Sequence, residues 1–177
     1  MNSAHAAAAP TAAASSAAEP VRQYLTFVLT HEVFAMGILA IKEIIEYSDL
    51  TTVPMTPDYV RGVINLRGAV VPVLDLSVRF GRPPSPVTRR TCIVIVEVEA
   101  AGERHDMRLV VDTVHAVLDI PAQDIEPPPA FGARVRTDFI QGMAKVNSKF
   151  VILLDVARVL AADELLAISE ASAAAVQ

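Results

Sequence analysis

A chain of 177 residues is long enough for one sizeable core, or for two small barrels that share one. It is rich in valine, leucine, isoleucine and alanine, poor in aromatics and free of tryptophan, so branched aliphatic side chains must supply the packing. A net charge of −5 argues against a nucleic-acid partner, and the single cysteine, Cys92, excludes an intrachain disulfide and fits a reducing compartment.

Met1 to Pro20 hold mainly alanine and serine, with Pro10 and Pro20 and no large apolar residue after Met1. Such a segment cannot bury enough surface to offset its ordering entropy, so 1–20 reads as a disordered tail. No basic start leads into an apolar core, and no apolar run nears the roughly 20 residues that cross a bilayer. The expected location is the cytoplasm, with no direct membrane insertion. Gln23 to Leu29 reads as a strand, Thr30-His31-Glu32 as a turn and Val33 to Met36 as the return. Ile38 to Tyr47 changes period. Ile38, Ile41 and Ile45 form a stripe at helical spacing with Ile44 beside it, and Lys42, Glu43 and Glu46 lie opposite. A short amphipathic helix is expected there. Its isoleucines either pack on a barrel or leave part of the face as an exposed groove wall.

Leu50 to Pro57, with Val53-Pro54 and Thr56-Pro57, is an extended crossing. In Gly62 to Phe80, Ile64 and Leu66 alternate with Asn65 and Arg67, as in a half-buried strand. Gly68 permits a tight turn, and Val70 to Leu74 form a second strand. Pro72 lacks a donor, which asks for a sheet edge or a bulge. Asp75 is placed to cap a helical turn from Leu76 to Phe80. Gly81 to Arg90 is a proline-rich loop, and Arg79, Arg82, Arg89 and Arg90 around it read as a solvated linker in preference to an anion site. Thr91 to Glu97 and Met107 to Val111 are strands joined through Ala100-Ala101-Gly102, and the apolar run continues at Val114, Val117, Leu118 and Ile120. Pro127-Pro128-Pro129 makes a second crossing. A second strand–turn–strand unit then reaches Asp155 and a short helix to Leu160. Asp163 can cap a last helix carrying Leu165, Leu166 and Ile168. The folded domain is expected over 21–169, and 170–177 is expected to fray.

The two strand–turn–strand units match at a shift of eighty positions. Asp58-Tyr59-Val60 falls on Asp138-Phe139-Ile140, Gly62 on Gly142, Leu66 on Val146, Val71 on Val151, Leu74 on Leu154 and Asp75 on Asp155. This reads as an internal duplication giving two similar β subdomains, with repeats centred on 58–80 and 138–160. The copies differ where Asn65, Arg67 and Gly68 face Lys145, Asn147 and Ser148, so these polar residues are the better candidates for specific function.

No constellation for catalysis emerges. His5, His31, His105 and His115 share no metal-ligand spacing, no glycine-rich phosphate loop is present, and Ser77 and Ser85 lie in no nucleophile elbow. Asp75 and Asp155 look like helix caps, and Asp119, Asp124 and Glu126 like turn and surface acids. Asp112 with His115 is the nearest approach to an acid–base pair, and a small enzyme using them is the minor alternative. The reading is a non-enzyme with no catalytic residue, cofactor or metal, built to present surfaces. Glu43 and Arg67 stand at the polar edges of apolar elements. A pair between them would fix local geometry while contributing about 0–1 kcal/mol.

Five segments then resemble the CheW chemotaxis coupling proteins: Tyr24-Leu25-Thr26-Phe27, Ile41-Lys42-Glu43-Ile44, Val60 to Gly68, Val71 to Leu76 and Leu109-Val110-Val111-Asp112. The resemblance covers about residues 22–168. It implies a mainly β fold of two five-stranded, SH3-like barrels around a shared apolar core, with short helices. It also implies a non-catalytic adaptor that binds the cytoplasmic tip of chemoreceptors and the regulatory domain of the histidine kinase CheA, which has the same fold and alternates with CheW-like chains in array rings. By the match, Ile38, Ile41, Ile44, Asn65, Leu66 and Arg67 form part of the receptor-facing groove, Val114 and Val117 line its other side, and Glu43 pairs with Arg67. Kinase contacts would use the barrel ends. An adaptor of a related pathway, controlling pili, second messengers or development, fits the same pattern. Arg108 stands where the family usually has glycine and is expected to alter packing or project outward. Thr113, His115 and Cys92 also depart from the usual pattern.

Overall fold

The structure is a computed structural model that describes residues 21–100, 102–128 and 137–159. The expected N-terminal tail, the last helix capped by Asp163 and the fraying C-terminus lie outside these residues. Eleven strands are described: β1 (Val21–Leu29), β2 (Glu32–Gly37), β3 (Ile41–Glu46), β4 (Val60–Leu66), β5 (Ala69–Asp75), β6 (Cys92–Ala100), β7 (Glu103–Val111), β8 (Thr113–Pro121), β9 (Ile125–Glu126), β10 (Ile140–Val146) and β11 (Lys149–Leu154). Two one-turn helices follow the strand–turn–strand units, α1 (Leu76–Arg79) and α2 (Val156–Val159).

The strands form two sheets. One has six strands in the order β8-β1-β2-β11-β10-β9, the other five in the order β3-β6-β7-β5-β4. Each sheet holds one copy of the repeat, and the copies superpose in register. Val60 pairs Leu74 as Ile140 pairs Leu154, and Leu66 pairs Ala69 as Val146 pairs Lys149. The Asp75 N–H donates to the Tyr59 carbonyl at 2.7 Å, and the Asp155 N–H donates to the Phe139 carbonyl at 2.9 Å. The turns match too, with positive φ at Arg67 and Gly68 and at Asn147 and Ser148, as two-residue I′ hairpins require.

The shared glycines answer to a close approach. A Cβ on Gly62 would sit 2.7 Å from the Thr51 carbonyl oxygen, and one on Gly142 would sit 2.8 Å from that of Glu126. Each extended crossing thus lies against its copy, as the Thr51–Val63 bridge and the β9–β10 pairing record. The Val63 N–H and carbonyl are both spent on Thr51. Pro72, opposite Val63, therefore forfeits no bond to β4, and pairing with β7 begins only at Val73. Pro72 stands where β5 is still an edge.

The sheets are not contiguous in sequence. The β1–β2 hairpin joins the second copy through β2–β11, and the β6–β7 hairpin joins the first through β5–β7, both in parallel. A large apolar cluster lies between the sheets, built from Leu25, Phe27, Phe34, Phe80, Val94, Val96, Leu109 and others. Smaller clusters fill each sheet's other face, around Tyr24 and Leu153 in one and Val73, Ile93 and Val110 in the other.

One expected element is wrong. Ile38 to Tyr47 is not a helix: a 3₁₀ turn at Ile38–Ala40 leads into strand β3. The cause is a bulge. The register between β3 and β6 shifts between Ile41 and Glu43, leaving Lys42 as an extra residue. Ile41, opposite Val96, and Ile44, opposite Val94, then share a face although three residues apart. A bulged strand so reproduces the i, i+3 spacing of a helix.

Candidate docking cleft between two sheet edges

β3 and β8 are each an edge strand of their sheet, and they occupy equivalent places. Ile41 pairs Val96 and Ile44 pairs Val94, while Val114 pairs Phe27 and Val117 pairs Leu25. β8 carries its own extra residue, since its register shifts between Leu25 and Phe27. The buried Thr26 hydroxyl serves that bulge, donating to the Ala116 carbonyl at 2.8 Å and accepting from the Ala116 N–H at 3.1 Å. The bulges set Ile41 and Ile44 on one face of β3, and Val114 and Val117 on one face of β8. In each pair one member is half-buried against the shared core, Ile41 and Val114. The other is exposed, Ile44 by 42% and Val117 by 45%.

Glu46, two residues beyond Ile44 on the same face, and Val114, three before Val117, line a single cleft of about 550 Å³. Arg89, Arg90, Cys92 and His115 also line it. The Cys92 thiol is pushed up by burial and by nearby Glu46, which disfavours the reactive thiolate. Ile41, Ile44 and Val117 are not among its lining residues, and neither is Ile38. Ile38 lines a larger one of about 980 Å³, with Val21, Tyr24, Val98 and Leu154.

The Asn-Leu-Arg-Gly turn is surface-exposed. The Asn65 side-chain oxygen accepts from the Gly68 N–H at 3.2 Å, Leu66 is half-buried, and the Arg67 side chain is 86% exposed. Arg67 reaches the Glu43 carboxylate at 3.4 Å. Since β3 and β4 are opposite edges of one sheet, this pair ties the edges together. Both partners are exposed, so the pair contributes about 0–1 kcal/mol and mainly sets geometry.

Arg108 turns inward. Its guanidinium donates to the Asp106 carbonyl at 3.2 Å and lies 3.8 Å from the Asp106 carboxylate, which Lys42 also meets at 3.1 Å. Burial lowers the Arg108 pKa against the pull of Asp106, and its Nε is buried with no partner among the described residues. The alternative acid–base pair finds another use for Asp112: its carboxylate accepts from the Thr30 N–H at 2.9 Å, bracing the β1–β2 turn. Asp75 is a buried cap, accepting from the Ser77 and Ser85 N–H groups at 2.9 and 3.0 Å and from Arg61 at 3.0 Å. Among the described residues no cluster of His, Cys, Asp or Glu could hold a metal ion, and no helix is long and apolar enough to cross a membrane.

Of the residues marked in the sequence for the receptor face, Val114 lines this cleft, while Ile41, Ile44 and Val117 lie further along the two edge strands. Arg89 and Arg90 were visible only as part of an arginine-rich loop, because no local pattern tells that the loop runs back to the edge of β8.

Two sheets with exposed apolar residues on their edge strands present surface suited to binding a partner. The CheW-like domain model matches residues 23–164, and the chain belongs to that family, whose members are non-catalytic chemotaxis scaffolds. It is 32% identical over 144 residues to the chemotaxis protein CheW of Klebsiella aerogenes, covering 81% of this chain and 84% of that one. A more distant relative is Protein FrzA of Myxococcus xanthus, 27% identical over 154 residues, with coverage of 86% and 93%. The crystal structure of the scaffolding protein TtCheW from Thermoanaerobacter tengcongensis has a TM-score of 0.70 and 33% identity, covering 79% of this chain and 88% of that one.

Proposed function

We propose that this chain couples the cytoplasmic tip of chemoreceptors, the methyl-accepting chemotaxis proteins, to the regulatory domain of the histidine kinase CheA. It would work in the cytoplasm, held at membrane-bound receptor arrays, with other CheW-like chains as further ring neighbours. The receptor face is Ile41, Ile44, Val114 and Val117, with Asn65, Leu66 and Arg67 at its border and the Glu43–Arg67 pair holding the border in place. Ile38 belongs to this face by family resemblance alone. The observation that carries the reading is the equivalent exposure of Ile44 and Val117 at two matched sheet edges. A helix laid between them would cover apolar surface on both sides. Each contact is expected to be weak, with the array supplying avidity.

A pull-down with a chemoreceptor cytoplasmic fragment from the same organism tests this. Arg67→Ala is expected to weaken capture while leaving circular dichroism unchanged, because its exposed pair contributes little to stability. Ile41→Glu is expected to weaken it too. Ile41 packs on the core, however, so Ile44→Asp at the exposed position separates lost binding from lost fold. Unchanged capture by Arg67→Ala and Ile44→Asp would overturn the assignment. The relative named FrzA favours a second reading, an adaptor serving a related chemosensory pathway (pili, second messengers or development). Identifying the kinase that co-purifies with the chain decides between them.

A further inference from the structure

We infer that Arg89 and Arg90 form a cationic rim on the cleft between β3 and β8, and that this rim selects a partner helix whose apolar face is flanked by carboxylates. The inference rests on the receptor-docking reading above. Both arginines are exposed, both line the cleft, and neither side chain makes a hydrogen bond or ion pair among the described residues. Their neighbours in sequence are already engaged. Arg79 lies over the Tyr59 and Phe139 rings and donates to the Val159 carbonyl at 2.7 Å, and Arg82 pairs with Glu32 at 2.9 Å. Arg61 is held by Asp75 and by the Ser85 carbonyl.

The backbone that carries the rim is fixed. The Thr88 N–H donates to the Thr91 hydroxyl at 2.8 Å, the Arg90 N–H donates to the Thr88 hydroxyl at 3.1 Å, and the Tyr47 N–H donates to the Thr91 carbonyl at 3.2 Å. A partner therefore meets two guanidinium groups whose attachment points need no further ordering. Among the lining residues only Glu46 is acidic, so the cleft is cationic on a protein whose net charge is −5. Apolar Val114 stands in the same lining. That pairing of surfaces fits a helix with apolar residues on one face and Asp or Glu beside them.

The test is the Kd of the full chain for the chemoreceptor cytoplasmic fragment over a range of sodium chloride, with urea midpoints to check each variant's fold. The Arg89→Glu/Arg90→Glu double variant is expected to raise Kd about tenfold at low salt and to flatten the salt dependence, while Arg89→Lys/Arg90→Lys stays within about threefold of wild type. Ile44→Asp is expected to raise Kd at every salt concentration. Wild-type Kd and slope in the double glutamate variant, with Ile44→Asp impaired, would overturn the rim and leave the docking reading intact. Wild-type binding by Ile44→Asp as well would overturn the docking reading itself. Flotation with phosphatidylglycerol vesicles covers the lipid case. Vesicle binding lost in the double glutamate variant, with receptor Kd unchanged, would assign the arginines to a membrane surface and defeat the proposal.

Discussion

Asp75 and Asp155 occupy the same position in two copies of one unit, yet their surroundings give them different weights. Asp75 is 1% exposed and joins the Ser77 and Ser85 backbone to Arg61. Its removal leaves three backbone N–H groups, of Ser77, Val78 and Ser85, without this acceptor, and a largely buried guanidinium without its counter-charge. Asp75→Ala should lower stability by about 3–5 kcal/mol in urea unfolding. Asp155 meets Arg158, an exposed side chain 3.4 Å away, so Asp155→Ala should cost about 0–1 kcal/mol. Equal losses would show that the buried network around Asp75 is not what holds the first copy. The capping role of Asp75 was legible, because an acid before a helical turn has one common use. Its burial was not, since Arg61 and Ser85 reach it from distant positions. Arg108 is a similar case: whether a long cation projects or folds in depends on Asp106 and Lys42, which only the sheet brings together.

At the scale of elements, the duplicated hairpin was readable because glycine, turn and cap recur at fixed spacing. The structure adds why the glycines are required. Gly62→Ala should destabilise by about 1–3 kcal/mol, because backbone atoms of the Thr51 crossing must move to admit a methyl group. Gly37→Ala, with no atom within 4 Å of the added carbon and an ordinary negative φ, should stay within about 0.5 kcal/mol of wild type. Urea midpoints for the two variants compare them directly, and a Gly62→Ala protein as stable as Gly37→Ala would contradict the close-approach explanation. Strand β3 misled sequence reasoning for a physical reason. Periodicity assumes regular backbone, and one bulge converts alternation into a three-residue step. The same device on β8 places Val114 and Val117, so the feature that hid the strand also sets the apolar residues of both edge strands on one face.

For the whole molecule, duplication predicted two similar bodies but not how they are entwined. Hairpin β1–β2 passes over the first repeat, which follows it in the chain, and completes the sheet of the second, while β6–β7 completes the sheet of the first. Local propensity is silent on this, since a strand with one apolar face pairs equally well with either copy. The aromatic line through the core reflects this crossing. Phe27 and Phe34 of the first hairpin stack at 6.0 Å, Phe34 meets Phe80 of the first repeat at 5.7 Å, and Phe80 meets Phe139 of the second at 5.7 Å. Such a body carries two matched edges, β3 and β8, on one shared core. The most direct test is methyl NMR of Ile- and Val-labelled protein titrated with the chemoreceptor cytoplasmic fragment. The account predicts the largest shifts at Ile41 and Ile44 on one edge and at Val114 and Val117 on the other, moving together with one affinity. Unmoved methyls at all four, with shifts gathered near Val146 and Ile152 on the far hairpin, would contradict it.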